Sequence, residues 1–193
     1  MTRLMRDSTT AADIPLHGLD LVAGYRNGRF EWSDADWQRF PGIGHVYIDV
    51  NGTHPQDAGV LDVEPFDATT TQAVGWVKQR LALKPDYPPV IYCNRSTLTP
   101  LFNAMAAAGL RIVHDFRLWV ATLDGTKTLP DMTGVTAVQY AGEAQTGGHY
   151  DESIVWDDAW HAPKTIVPAQ RTYTVVELPD GQAFKAVSGT VLK

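Results

Sequence analysis

The sequence is short of several things that would assign it quickly. It has one cysteine in 193 residues, which excludes an internal disulfide. Cys93 lies in the apolar run Val90 to Cys93 with no His or basic cluster beside it, so a buried, inert thiol is expected. No stretch approaches the ~20 apolar residues that cross a bilayer, so no membrane span is expected. Residues 1–13 carry two Arg but no apolar core of a signal peptide, and the sequence predicts a chain made in the cytoplasm without its own export signal. Positive charge is also scarce: 16 Lys and Arg stand against 22 Asp and Glu, for a net charge of -6. With no basic run or basic helix face, nucleic acid is not an expected partner. The six histidines (His17, His45, His54, His114, His149, His161) show neither H-x-H nor H-E-x-x-H spacing, so no metal site is expected. Neither G-x-G-x-x-G nor G-x-x-x-x-G-K-[ST] occurs, which removes the common nucleotide signatures, and no cofactor is expected. Ser96 is not in a G-x-S-x-G elbow and reads as a helix N-cap.

What is present is an ordinary globular balance, 44% hydrophobic and 20% charged, enough for one full core. Short β-branched or aliphatic runs recur at Leu4-Met5, Leu19 to Ala23, His45 to Val50, Val60 to Val63, Val90 to Cys93, Leu118 to Ala121, Thr136 to Tyr140 and Ile154 to Trp156, and read as eight strands. Helical patterns fall at Ser33 to Phe40, at Thr70 to Leu83 (apolar stripe Ala73, Val74, Val77, Leu81) and at Thr99 to Ala108, closed by Gly109. Trp37 and Trp76 lie on such stripes and are expected in the core. Alternation of strand and helix implies parallel pairing with right-handed crossovers. The connectors after Ala121 and Tyr140 are rich in Gly, Thr and Pro, so the last strands should be irregular or antiparallel. The expected fold is an α/β, irregular TIM-like (β/α) barrel with an incomplete helical coat, about five β/α units plus three strands. It occupies residues 1–162. Residues 163–193 alternate apolar and polar around Pro179-Asp180-Gly181 and should form a C-terminal β-hairpin that docks or binds a partner.

Chemistry concentrates in Leu61-Asp62-Val63-Glu64-Pro65. Side chains two apart on a strand share a face, so Asp62 and Glu64 point the same way. C-terminal strand ends carry the site in a parallel barrel. Two neighbouring carboxylates raise the pKa of one, which supplies a proton donor. Asp7 ends the first strand and Asp151 sits at the edge of the last, so four acids should meet at one mouth, a glycosidase-like arrangement, because an oxocarbenium-like transition state needs a proton on the leaving oxygen and negative charge near the anomeric carbon. Tyr25, Tyr92, Trp119, Gln139 and Tyr140 fall near the same ends and are expected to meet the C–H faces and hydroxyls of a sugar.

These pieces, in this order, resemble the glycoside hydrolase family 25 lysozymes, and the glycoside-hydrolase-like barrel domains of actinobacterial and actinophage proteins. The likeness rests on Asp7-Ser8 after strand one, Asp62-x-Glu64 after strand four, Ile91-Tyr92-Cys93-Asn94, Leu118-Trp119-Val120-Ala121, Val138-Gln139-Tyr140 and Asp151, and covers about Thr2 to Trp160. It implies Glu64 as general acid and base, Asp62 as the group that orients or stabilises the substrate acetamido group, and Asp7 and Asp151 as acids of the floor. The implied reaction is muramidase-type cleavage of the MurNAc–GlcNAc bond of peptidoglycan, without metal or organic cofactor. Two other readings fit the same residues. One is a non-catalytic wall-binding or assembly module of a phage particle or injection machine, with a homo-oligomer or virion partner at the hairpin. The other is an enzyme of a small soluble sugar, for which a closed pocket at Glu64 is expected.

Overall fold

A computed structural model describes residues 2–128, 132–156, 172–176 and 186–190. Eight strands close into a barrel in chain order: β1 (Thr2–Asp7), β2 (Leu21–Tyr25), β3 (Gly44–Asp49), β4 (Val60–Asp62), β5 (Val90–Asn94), β6 (Arg117–Ala121), β7 (Val135–Ala141) and β8 (Asp151–Trp156). Neighbours from β1 to β7 pair in parallel. β8 runs antiparallel to both β7 and β1 and closes the ring. Each expected strand is found, and the antiparallel end follows from a connector too short to return across the barrel, in which only the four-residue helix α4 (Glu143–Thr146) forms.

The helical coat is thinner than five β/α units. Among the described residues, α-helices fill only the crossovers β2–β3 (α1, Asp34–Gln38), β4–β5 (α2, Thr70–Ala82) and β5–β6 (α3, Leu98–Ala107). The link from β1 to β2 carries a single 3-10 turn, Ala11–Asp13. Helices form where capping and apolar periodicity coincide. Ser33 and Thr69 each close a reciprocal capping box, with Asp36 and Gln72. α2 buries Ala73, Trp76, Val77 and Arg80, and Trp37 is also buried. Before α3 it is Asn94, not Ser96, that caps: its Oδ1 accepts from the Thr97 backbone N–H and from the Ser96 hydroxyl.

Strand parity divides the core. Met5, Ala23, Ile48, Val60, Val90, Trp119, Ala137 and Val155 fill the barrel interior. Leu61, Val63, Ile91, Cys93, Leu118 and Val120 face outward and pack under α2 and α3 with Trp76, Leu101 and Met105. Chain contacts separate residues 1–163 from 164–193. In the second unit, β9 (Thr172–Val176) and β10 (Ala186–Thr190) pair antiparallel, and the expected turn at Pro179-Asp180-Gly181 lies outside the described residues. No described helix is long and apolar enough to cross a membrane.

Candidate functional site

The same period of two that fills the barrel also places its acids. Asp7 follows the inward Met5, Asp62 and then Glu64 follow the inward Val60, and Tyr25, Tyr92 and Gln139 follow Ala23, Val90 and Ala137. Because β8 runs the other way, its first residue, Asp151, reaches the rim where the parallel strands end, and it pairs in register with Asp7. Asp7, Asp62, Glu64 and Asp151 therefore sit together on top of the apolar plug, at the C-terminal mouth.

Their electrostatics follow from that proximity. Burial pushes the Asp7 carboxyl well above the usual range, and the charges of Asp151 and Glu64 push it further. Asp62 is raised by burial and by Glu64, Asp67 and Asp7. Glu64 is raised by burial, opposed by a hydrogen bond from Asn94. Asp151 is lifted to about 6 by burial and the charge of Glu143, against the pull of a 2.6 Å hydrogen bond donated by the Gln139 amide. Asp7 and Asp62 are only 6% and 5% exposed. One oxygen of each is buried with no partner among the described residues, as is Oε1 of Gln139. Buried polar atoms are rarely left unbonded, so these three oxygens are free to take a proton or a ligand's donor.

Two hollows flank the acids. One, of about 550 Å³, is lined by Glu64, Tyr92, Asn94, Gln139 and Asp151 among others. The other, of about 430 Å³, is lined by Tyr25, Asn27, Phe30, Phe66 and Asp67 among others. Tyr25 and Tyr92 hold their phenols protonated, through burial and through the neighbouring carboxylates. A third hollow, of about 260 Å³ between His45, Arg80 and Tyr87, opens at the strand N-termini, away from the acids.

Two expected site residues stand elsewhere. Trp119 is 1% exposed; it belongs to the barrel plug, donates to the Ser153 hydroxyl at 3.0 Å and meets the Tyr92 ring edge-on at 4.7 Å. It supports the floor without facing the cleft. Tyr140 points to the outer face, packed near Leu4, Ile154 and Trp156, and donates to Glu152 at 2.6 Å. Consecutive strand residues face opposite sides, so Gln139 and Tyr140 cannot both enter the mouth.

No protein-family model and no curated protein matches the sequence. Among solved structures, the chain is similar to a family 25 glycosyl hydrolase from Bacillus anthracis, at 12% identity and a TM-score of 0.49, over 81% of this chain and 89% of that one. So remote a likeness assigns neither an activity nor a residue's role.

Three residues join the site without having been singled out for it. Asn94 uses its carbonyl oxygen as a cap, which turns its amide toward Glu64. The β5 parity, with Tyr92 inward, was the signal that could have found it. Asp67 is raised by burial and adds its charge to Asp62 and Glu64. Asn27 is 5% exposed; its amide donates to Asp49 at 2.7 Å and its carbonyl accepts from the Val50 N–H. Asp49 also accepts from the Trp76 indole. That bond ties the floor of the second hollow to α2.

Proposed function

We propose that this chain is a glycoside hydrolase of bacterial cell-wall glycan, cleaving the β-1,4 bond between MurNAc and GlcNAc. The observation that carries the reading is the burial of Asp7, Asp62 and Glu64 at one mouth with carboxyl pKa values raised above their ordinary range. An exposed acid would be ionised near neutrality and have no proton to give, whereas a shielded one keeps it.

Glu64 borders the open hollow and donates its proton to the glycosidic oxygen as the bond breaks. Asp62, set deeper on the same face, holds the N–H of the substrate acetamido group while its carbonyl oxygen attacks the anomeric carbon, one of the recognised alternatives to a protein nucleophile. Glu64, now a carboxylate, takes a proton from the water that opens this intermediate. Asp7 and Asp151 keep the field at the floor negative, which favours the positive charge that develops on the sugar ring. The openness of the mouth favours a polymer over a small soluble sugar, and the wall places the action outside the cytoplasm or on a virion.

The test is release of reducing ends, with clearing of turbidity, from purified peptidoglycan. Wild-type protein should release them, and Glu64→Gln should abolish release with its circular dichroism unchanged. Equal release by the variant, or none by wild type across walls of differing chemotype, would overturn the proposal. A non-enzymatic wall-binding or assembly module is the second reading, favoured by the separate unit at residues 164–193. Pull-down on intact walls without sugar release, with oligomers lost on deleting that unit, would favour it.

A further inference from the structure

The hollow at the strand N-termini has no part in the chemistry of the acids. It opens beside a gap in the helical coat: α1 precedes β3 and α2 follows β4, but the link from β3 to β4 is a loop wrapped on Asp49. Val46 and Ile48 of β3 face the barrel interior, so His45 and Tyr47 face outward. These two line the hollow together with Arg80 of α2 and Tyr87 of the link from α2 to β5. A neighbouring hollow of about 400 Å³ shares Arg80 and Tyr87, so the two meet at the guanidinium.

Arg80 is a cation only 8% exposed. Its Nη1 donates to the Pro55 carbonyl at 2.8 Å and to that of Gln56 at 3.4 Å, which pins the loop to α2. The guanidinium also bonds the Tyr87 phenol and lies 5.9 Å from its ring centre. Its Nε is buried with no partner among the described residues. None of these partners is an anion, and no ion pair among the described residues includes Arg80. A buried charge is costly unless an opposite charge meets it, and carbonyl dipoles offset only part of that cost. Beside the guanidinium the walls are apolar and preformed. Val60 and Val90 are buried there, and the Tyr47 ring is held edge-on against Trp37 at 4.6 Å. The acids of the two hollows, Asp57 and Asp86, are exposed.

We propose that Arg80 holds the carboxylate of a small molecule with a flat apolar body, bound between the Tyr47 and Tyr87 rings at the N-terminal end of the barrel. The guanidinium supplies the charge-assisted bond, and rings and valines take the apolar body. Asp57 and Asp86 oppose a second negative charge, so a monocarboxylate is preferred to a dianion. The site lies away from the acids of the mouth and does not depend on the glycan reading.

The experiment is an NMR titration of the full chain, read on backbone amides at neutral pH. The probes are 3-phenylpropionate, its neutral amide 3-phenylpropanamide, and phenyl phosphate. The acid should shift the Gly59 and Tyr87 amides with a Kd of about 1 mM, as suits a ligand of this size. The neutral amide should bind about tenfold more weakly, as loss of a charge-assisted bond predicts, and phenyl phosphate should also bind more weakly than the acid. Arg80→Gln should bind acid and amide equally. Because that variant also loosens the loop, Gly59→Ala supplies a second test. Gly59 is not in the left-handed region, and a Cβ there would meet the Tyr87 ring at 3.5 Å, an ordinary contact. Gly59→Ala should therefore melt with the wild type while its methyl narrows the hollow and weakens the acid several-fold. No saturable shift with any probe, equal binding of acid and amide by the wild type, or unchanged acid affinity in Gly59→Ala overturns the site. Tighter binding of phenyl phosphate than of the acid overturns the assignment to a monocarboxylate.

Discussion

Asp151→Asn should stabilise the barrel at neutral pH and have no such effect in acid, and the size of the effect follows from the mouth's electrostatics. The Asp151 pKa is lifted from 3.8 to about 6. At about 1.4 kcal/mol per pH unit this is worth about 3 kcal/mol for a fully shielded group, and roughly half of that for one partly open to solvent. The sign is that of a carboxyl whose folded pKa is raised. Between pH 3.8 and about 6 the native state holds the proton more tightly than the unfolded chain, so stability falls as pH rises through that window. Above it the wild type carries the full cost of an ionised, shielded carboxylate. Asparagine keeps an acceptor for the Gln139 amide and removes the charge. Urea titration at pH 7.5 should therefore show Asp151→Asn more stable by roughly 1.5 kcal/mol, a midpoint shift of about half a molar, and the gain should vanish near pH 3.5. A loss of stability at pH 7.5, or a gain independent of pH, would refute the reasoning.

Three further outcomes are expected. Asn94→Ala removes a cap worth about 1 kcal/mol and the donor that holds Glu64 down, so the high-pH limb of any glycan-hydrolysis profile should move upward; a limb that stays put would detach Asn94 from Glu64. Tyr140→Phe should cost about 1–2 kcal/mol in urea melts, since it strips a hydrogen bond to a carboxylate, while chitopentaose binding is unaltered; weakened binding would return Tyr140 to the site. The Cys93 thiol, pushed up to about 12 by burial and by Glu64 and Asp62, should react with Ellman's reagent only at the rate of unfolding, and prompt labelling of native protein would contradict its place under α2 and α3.

The barrel was legible because strand alternation is a local signal. Each inward apolar residue announces the inward residue two positions on, which is how Asp62 and Glu64 could be paired from sequence. The sparse connector before Asp151 likewise foretold an antiparallel last strand. The same parity argues against Tyr140 beside Gln139, and nearness to a strand end was the weaker guide. The helical coat was overestimated because a connector long enough for a crossover need not be helical: the β3–β4 link folds instead around Asp49, whose carboxylate accepts from the Asn51, Gly52 and His54 backbone N–H groups. Phe66 and Asp67 were not foreseen, since loop residues reach the mouth through backbone angles that no periodicity encodes.

The account depends on carboxyls at the barrel mouth that stay protonated beyond their usual range. The most direct measurement is carbon-13 NMR titration of the side-chain carboxyls, with Asp7, Asp62 and Glu64 assigned by single substitution. All three should titrate above the ordinary values of 3.8 for Asp and 4.5 for Glu, and the remaining resonances should shift when any one is removed. Three independent titrations near pH 4 would contradict it.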